Sequence, residues 1–189
     1  MKKSIILLLF SIIALYACNS TKKLPAVTKG SQEMKLPFSE TKYKTDKDFF
    51  RAVQVGKSPD LATAKKMAIH SAKADLAGNI QTKMKEVTDL YTNQSDIVDK
   101  SDFENKFEEY SREIVNQSLT DVKILDEKAF KENDGSFSYW VVLEVNKKAL
   151  VNDVDNNISR NSKLQLNYDK KKFEEIYNAE MDKLEHDTK

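Results

Sequence analysis

The 189-residue chain has one cysteine, two histidines, one tryptophan, three prolines and four glycines. One cysteine excludes an internal disulfide and any cysteine-based metal site. His70 has no Asp, Glu or Cys at ligand spacing, His186 lies in the C-terminal tail, and two isolated histidines define no metal centre. No G-x-S-x-G, H-E-x-x-H, P-loop or EF-hand pattern occurs. Net charge is also lacking: 31 Lys+Arg oppose 30 Asp+Glu. Such a balance carries no electrostatic footprint for nucleic acid. The charges alternate in sign, as on solvated helix faces.

The N-terminus carries the clearest signal. Met1-Lys2-Lys3 is a basic start, Ile5 to Ala17 is apolar except for Ser11, and Cys18 follows at once. These are the parts of a secretory signal. The run is shorter than the roughly 20 residues a spanning helix needs. Leu15-Tyr16-Ala17-Cys18 resembles a bacterial lipobox, although Tyr16 is bulkier than the usual small residue. That resemblance implies cleavage after Ala17, diacylglyceryl transfer to the Cys18 sulfur and acylation of its freed amine. Two or more chains give stable anchoring, since each buried CH₂ contributes only about 0.8 kcal/mol. Asn19, in place of the aspartate that retains many such proteins at the inner membrane, points by analogy to the outer membrane. Without residues 1–17, 172 residues remain and the net charge becomes −1.

Residues 18–48 read as the lipidated cysteine and a flexible tether. Pro25, Gly30 and Pro37 punctuate it, with Lys, Ser and Thr between and no sustained periodicity. Met34–Phe38 is a stretch able to dock locally. Phe49 to Val55 alternates as a strand with apolar residues on both faces, ending at Gly56. Ser58-Pro59-Asp60 then opens a helix, with Ser58 as N-cap and Pro59 at its first position. Leu61, Ala64, Ala68, Ala72, Leu76, Ile80 and Met84 form its apolar stripe toward Leu90. Alanines there allow close packing, and Gly78 marks a bend or a close approach.

A second helix is expected from Ser101, with Ser101 and Glu104 as a capping box. Its inner stripe is Phe103, Phe107, Tyr110 and Ile114, extending to Gln117 or Ser118. Asp121–Phe130 and Phe137–Val145 are strands joined by Asn133-Asp134-Gly135, which supplies the positive φ a hairpin turn wants. Phe137, Tyr139, Val141, Leu143 and Val145 should face the helices, and Trp140 and Val142 the other side. Short helical (about 146–158), polar (156–167) and helical (about 169–185) segments follow. Phe173, Ile176, Tyr177, Glu180, Met181 and Leu184 line the last helix, a stripe expected to pack on the domain, with a partner surface as the alternative.

This order predicts an α+β fold: a small antiparallel sheet of about three strands, with a long Ala-rich helix and further helices mainly on one face. Residues 49–150 form the domain, and 151–189 a C-terminal helical extension. "AVQVGKSPDLATAKKMAIHSAKADLAGNI", residues 52–80, resembles the opening motif of the LPP-twenty lipoprotein family, also seen in the N-terminal module of flagellar assembly protein T. Gly56, Ser58, Asp60, Ala64, Ala68, Ala72 and Leu76-Ala77 carry the likeness, with Lys73 where an arginine is usual. "GSFSYWVVLEVNKKAL", residues 135–150, resembles its terminal strand and helix. The resemblance implies an envelope module and brings no catalytic residues.

Two functions compete. One is a non-enzymatic interaction or structural module, held to the membrane by lipid on Cys18 and contacting an envelope protein or a second copy. The other is a periplasmic binder of a small ligand or envelope polymer, or an unrecognised hydrolase. The first expects Trp140 and Val142 on an open sheet face, the alternative being that the tether or the last helix covers them, and no catalytic residue, cofactor or metal. The second expects Asp, Glu or His converging in one deep pocket. Asp153 and Asp155, with Asn152, Asn156 and Asn157, offer oxygen ligands at alternate positions. They lack the glycine and distal glutamate of a calcium loop.

Overall fold

The computed structural model describes residues 33–120 and 122–187. A 3-10 turn (Thr41–Tyr43) precedes strand β1 (Phe49–Ser58). Helices α1 (Leu61–Asn93) and α2 (Lys100–Ser118) follow, then strands β2 (Lys123–Lys131) and β3 (Phe137–Asn146). Helices α3 (Lys147–Ile158), α4 (Ser162–Gln165) and α5 (Lys170–Asp187) complete the order. The strands form one antiparallel sheet in the order β1-β3-β2. The fold is α+β, as the element pattern predicts.

β3 is central because it is the most apolar strand and can be covered on both faces. Tyr139, Val141, Leu143 and Val145 are buried on its inner face, against α1. Ala64, Ala68 and Ala72 are fully buried there. Gly56 lies within β1 rather than ending it, because α1 crosses directly over it. A Cβ on Gly56 would lie 2.2 Å from the Ala64 carbonyl oxygen and 2.6 Å from the Ala68 amide nitrogen. Gly78 needs no such account: it is exposed, and a Cβ added there would meet nothing within 4 Å. Leu61, expected on the inner stripe, is also exposed.

Helix starts differ from the sequence expectation by one or two residues. Asp60, not Ser58, caps α1 by accepting from the Thr63 amide at 2.8 Å. Asp99, not Ser101, caps α2 by accepting from the Asp102 amide at 2.9 Å. Aspartate competes well with serine for this position, since both offer an oxygen to the free amides. Glu104 instead accepts from the Thr92 hydroxyl at 2.6 Å, joining α2 to α1. On α2, Ser111 and Val115 are buried, whereas Gln117 is exposed. At the hairpin, Gly135 has φ 81°, and its amide donates to the Glu132 carbonyl oxygen at 3.0 Å.

The C-terminal segment is built into the core. Leu150, Val154, Ile158, Leu164, Phe173, Tyr177 and Met181 join the same cluster as the sheet and α1. A boundary at residue 150 would cut through α3. Phe173 packs on Tyr91, Phe107 and Tyr168, with ring centroids 5.6, 5.2 and 5.4 Å away. The Tyr91 hydroxyl donates to the Asn167 carbonyl oxygen at 2.9 Å and accepts from the Asp169 amide at 2.7 Å. Apolar residues on three helices can bury one another only by meeting, and this aromatic cluster is where they meet.

Candidate functional site

The face of the sheet turned away from the helices carries Arg51, Val53 and Val55 on β1, and Trp140, Val142 and Glu144 on β3. Asp126, Lys128 and Phe130 occupy the same face of β2. Register fixes this: Val53 lies opposite Val142, Val55 opposite Trp140, Asp126 opposite Val142 and Lys128 opposite Trp140. A bulge between Ile124 and Asp126 resets which β2 residues turn outward.

Val142 is not open to solvent. Residues 37–43, assigned to the tether on composition, form a strap across the sheet. Phe38, Tyr43 and Val142 are buried together, with Val53 and Trp140 packed against them. Of the two alternatives for the Trp140–Val142 face, the tether covers it at Val142, so no open patch forms there, while Trp140 is half-buried. Sequence composition hid this because two aromatics in a Lys- and Ser-rich stretch show no periodicity. The pair Phe38 and Tyr43 was the available signal.

Several contacts hold the strap. The Phe38 and Tyr43 rings meet edge to face at 4.8 Å. The Tyr43 hydroxyl donates to Asp126 Oδ2 at 2.5 Å, and the Lys128 ammonium lies 4.9 Å from the Phe38 ring centroid. The hydroxyl holds the Asp126 carboxyl below the ordinary carboxylate value, and the carboxylate pushes the Tyr43 phenol up. Phe38 has φ 60°, and among the described residues no other non-glycine lies in the left-handed region. For a bulky side chain that conformation costs about 1–3 kcal/mol.

Below the strap, charges take over. Arg51 pairs with Asp46 at 2.5 Å and with Glu144 at 3.2 Å, and Lys123 reaches Glu144 at 2.9 Å. The Arg51 amide donates to Thr45 Oγ1 at 3.0 Å, tying residues 44–46 along β1. Burial alone would raise the Asp46 carboxyl. Arg51 and the amides of Asp48 and Phe49 outweigh it, and the net direction is down. Above the strap, Val55, opposite Trp140, and Phe130, opposite Ser138, are 39% and 43% exposed. The Lys57–Asp134 pair, at 2.9 Å, closes that end.

Other sequence candidates fall elsewhere. His70 is exposed on α1. The His186 side chain and Cys18 lie outside the described residues. Asp155 accepts from the Tyr168 hydroxyl and faces Lys170 Nζ at 3.1 Å, so its oxygens serve α3–α5 packing. Asn157 donates to the Asp153 carbonyl oxygen, as an ordinary helix surface residue does. Among the described residues, no group of three or more His, Cys, Asp or Glu is placed to hold a metal ion. No described helix is long and apolar enough to cross a membrane.

A groove of about 210 Å³ runs between α1 and α2. Lys85, Asp89, Glu104, Glu108 and Arg112 line it, over Met84, Thr88 and Ser111. The Ser111 hydroxyl is buried without a hydrogen-bond partner. No family model matches the chain, and neither does any curated protein or solved structure.

Proposed function

We propose that the chain is a lipid-anchored bacterial envelope lipoprotein, outer-membrane rather than inner-membrane, whose domain acts as a non-enzymatic interaction module. The Leu15-Tyr16-Ala17-Cys18 signal supports the anchor, and the LPP-twenty resemblance of residues 49–150 supports the envelope setting. One observation carries the interaction reading. Half-buried Trp140 lies opposite half-exposed Val55, and half-exposed Phe130 stands on the same face opposite Ser138, so apolar surface continues beyond the strap on an otherwise charged face. An envelope protein that inserts an apolar side chain beside Trp140 is the partner this surface fits.

Two experiments separate the parts. Radioactive fatty acid should label the wild-type chain and not Cys18→Ala; equal labelling refutes the anchor. A pull-down from envelope extracts should recover a partner that Trp140→Ala loses. Recovery of no specific partner sinks the interaction reading, whatever the labelling result.

A second reading rests on the α1–α2 groove, whose lining includes Asp89, Glu104 and Glu108 and the unpartnered Ser111 hydroxyl. A buried polar group without a partner asks for one. Soluble cell-wall polymer fragments that shift the Ser111 and Thr88 amide resonances, and spare β3, would favour this ligand-binding reading.

A further inference from the structure

The outer sheet face is already occupied by a segment of the same chain, and that segment is fastened unlike the rest of the domain. We propose that residues 36–43 are a displaceable latch: closed, they hide Val142, and open, they free a continuous apolar face while the core stays folded. This rests on the reading of that face as the interaction surface.

Four observations support it. First, the apolar residues beneath the latch form their own cluster, separate from the main core. β3 lies between the two, so Tyr139, Val141 and Leu143 keep their cover from α1 when the latch lifts. Second, the latch is fastened by side chains: Phe38 on Val142, Tyr43 on Asp126, Lys128 over Phe38. The Tyr43 and Lys44 amides donate to the Glu40 and Thr41 carbonyl oxygens, within the segment itself. Third, Phe38 is held at φ 60°, and opening releases that strain. Fourth, a hinge is defined. Lys44, Thr45 and Asp46 stay pinned to Arg51, so movement pivots on the N-terminal side of Lys44.

Opening joins Val53, Trp140 and Val142 to the already exposed Val55 and Phe130. Small clusters fastened by few contacts open at lower free energy than a whole domain. The latch also follows directly on the segment that leads back to Cys18, so a displaced latch lengthens the reach of the tether.

Adjacent residues on opposite faces of β3 provide the test. Val141 and Val142 are both fully buried, Val141 in the main core and Val142 under the latch. In a Cys18→Ser background of the full chain, thiol labelling is compared for Val142→Cys and Val141→Cys. We expect Val142→Cys to label at least about a hundredfold faster. Its rate should be flat in low urea, whereas the Val141→Cys rate should rise. The core substitution Phe107→Leu should accelerate only Val141→Cys, and Tyr43→Phe should accelerate Val142→Cys roughly tenfold. Equal rates that move together with urea and with Phe107→Leu overturn the proposal. Wild-type hydrogen exchange tests the same point without a cysteine at either position. Exchange of the Tyr43 amide should be insensitive to low urea while that of Leu143 follows global unfolding; if both follow it, there is no latch. Neither readout depends on lipidation or on a partner, so a failed pull-down and a failed latch are distinguishable.

Discussion

Gly56 and Ala64 touch backbone to backbone: a Cβ added to the glycine would sit 2.2 Å from the Ala64 carbonyl oxygen. Neither side can yield cheaply, because both are main chain. β1 and α1 are therefore locked at a spacing that only glycine permits.

Gly56→Ala should push α1 off the sheet and cost about 3 kcal/mol. The cost is read as a lower urea midpoint at unchanged slope. A loss below about 0.5 kcal/mol would mean the contact is not rigid.

Gly78→Ala is the opposite case. The position is helical and exposed, with nothing within 4 Å of the new methyl. The substitution should stabilise the chain by about 0.5–1 kcal/mol through helix propensity. A loss of thermal stability would contradict this.

Asp46 sets an acid dependence. Its folded value lies below the ordinary 3.8, so its contribution is complete above the unfolded value and is lost as pH falls through the folded one. Asp46→Asn should lower stability by about 1 kcal/mol at neutral pH, a small figure because its carboxylate is 41% exposed. The gap from wild type should narrow as pH falls below the ordinary carboxylate value and close once the folded carboxyl is protonated. Urea melts across pH check this, and a gap that does not vary with pH removes the carboxylate as its cause.

Phe173 lies far along the chain but inside the aromatic cluster. Phe173→Ala should cost about 3–5 kcal/mol, comparable to Phe107→Ala. A chain stopped after Leu150 should fail to fold, since the core of α1 would lose Phe173, Tyr177 and Met181. Cooperative melting of that truncated chain would restore the C-terminal region to an appendage.

Much of the fold was legible one residue at a time. The alanine stripe of α1, the alternation of β3 and the turn at Gly135 each follow from local periodicity or backbone preference. So does the choice of the β3 face that meets the helices: Tyr139, Val141 and Leu143 against Trp140 and Val142. The lipobox is also a purely local pattern, and it makes Cys18 the residue with the most definite expected chemistry.

Other features depend on which segments meet. Gly56 looks like a strand terminator until α1 is laid across it. The last helix shows a stripe fit for core packing, but only the fold shows that Phe173 meets Tyr91 and Phe107. Phe38 and Tyr43 look like tether until the sheet offers them Val142. Periodicity reports a residue's neighbours within one element, whereas burial of an isolated aromatic is decided by an element far away in sequence. The sequence by itself therefore determined the elements, their inward faces and the expected anchor. Only the tertiary structure decided between an open outer sheet face and a covered one: the tether's end closes over Val142.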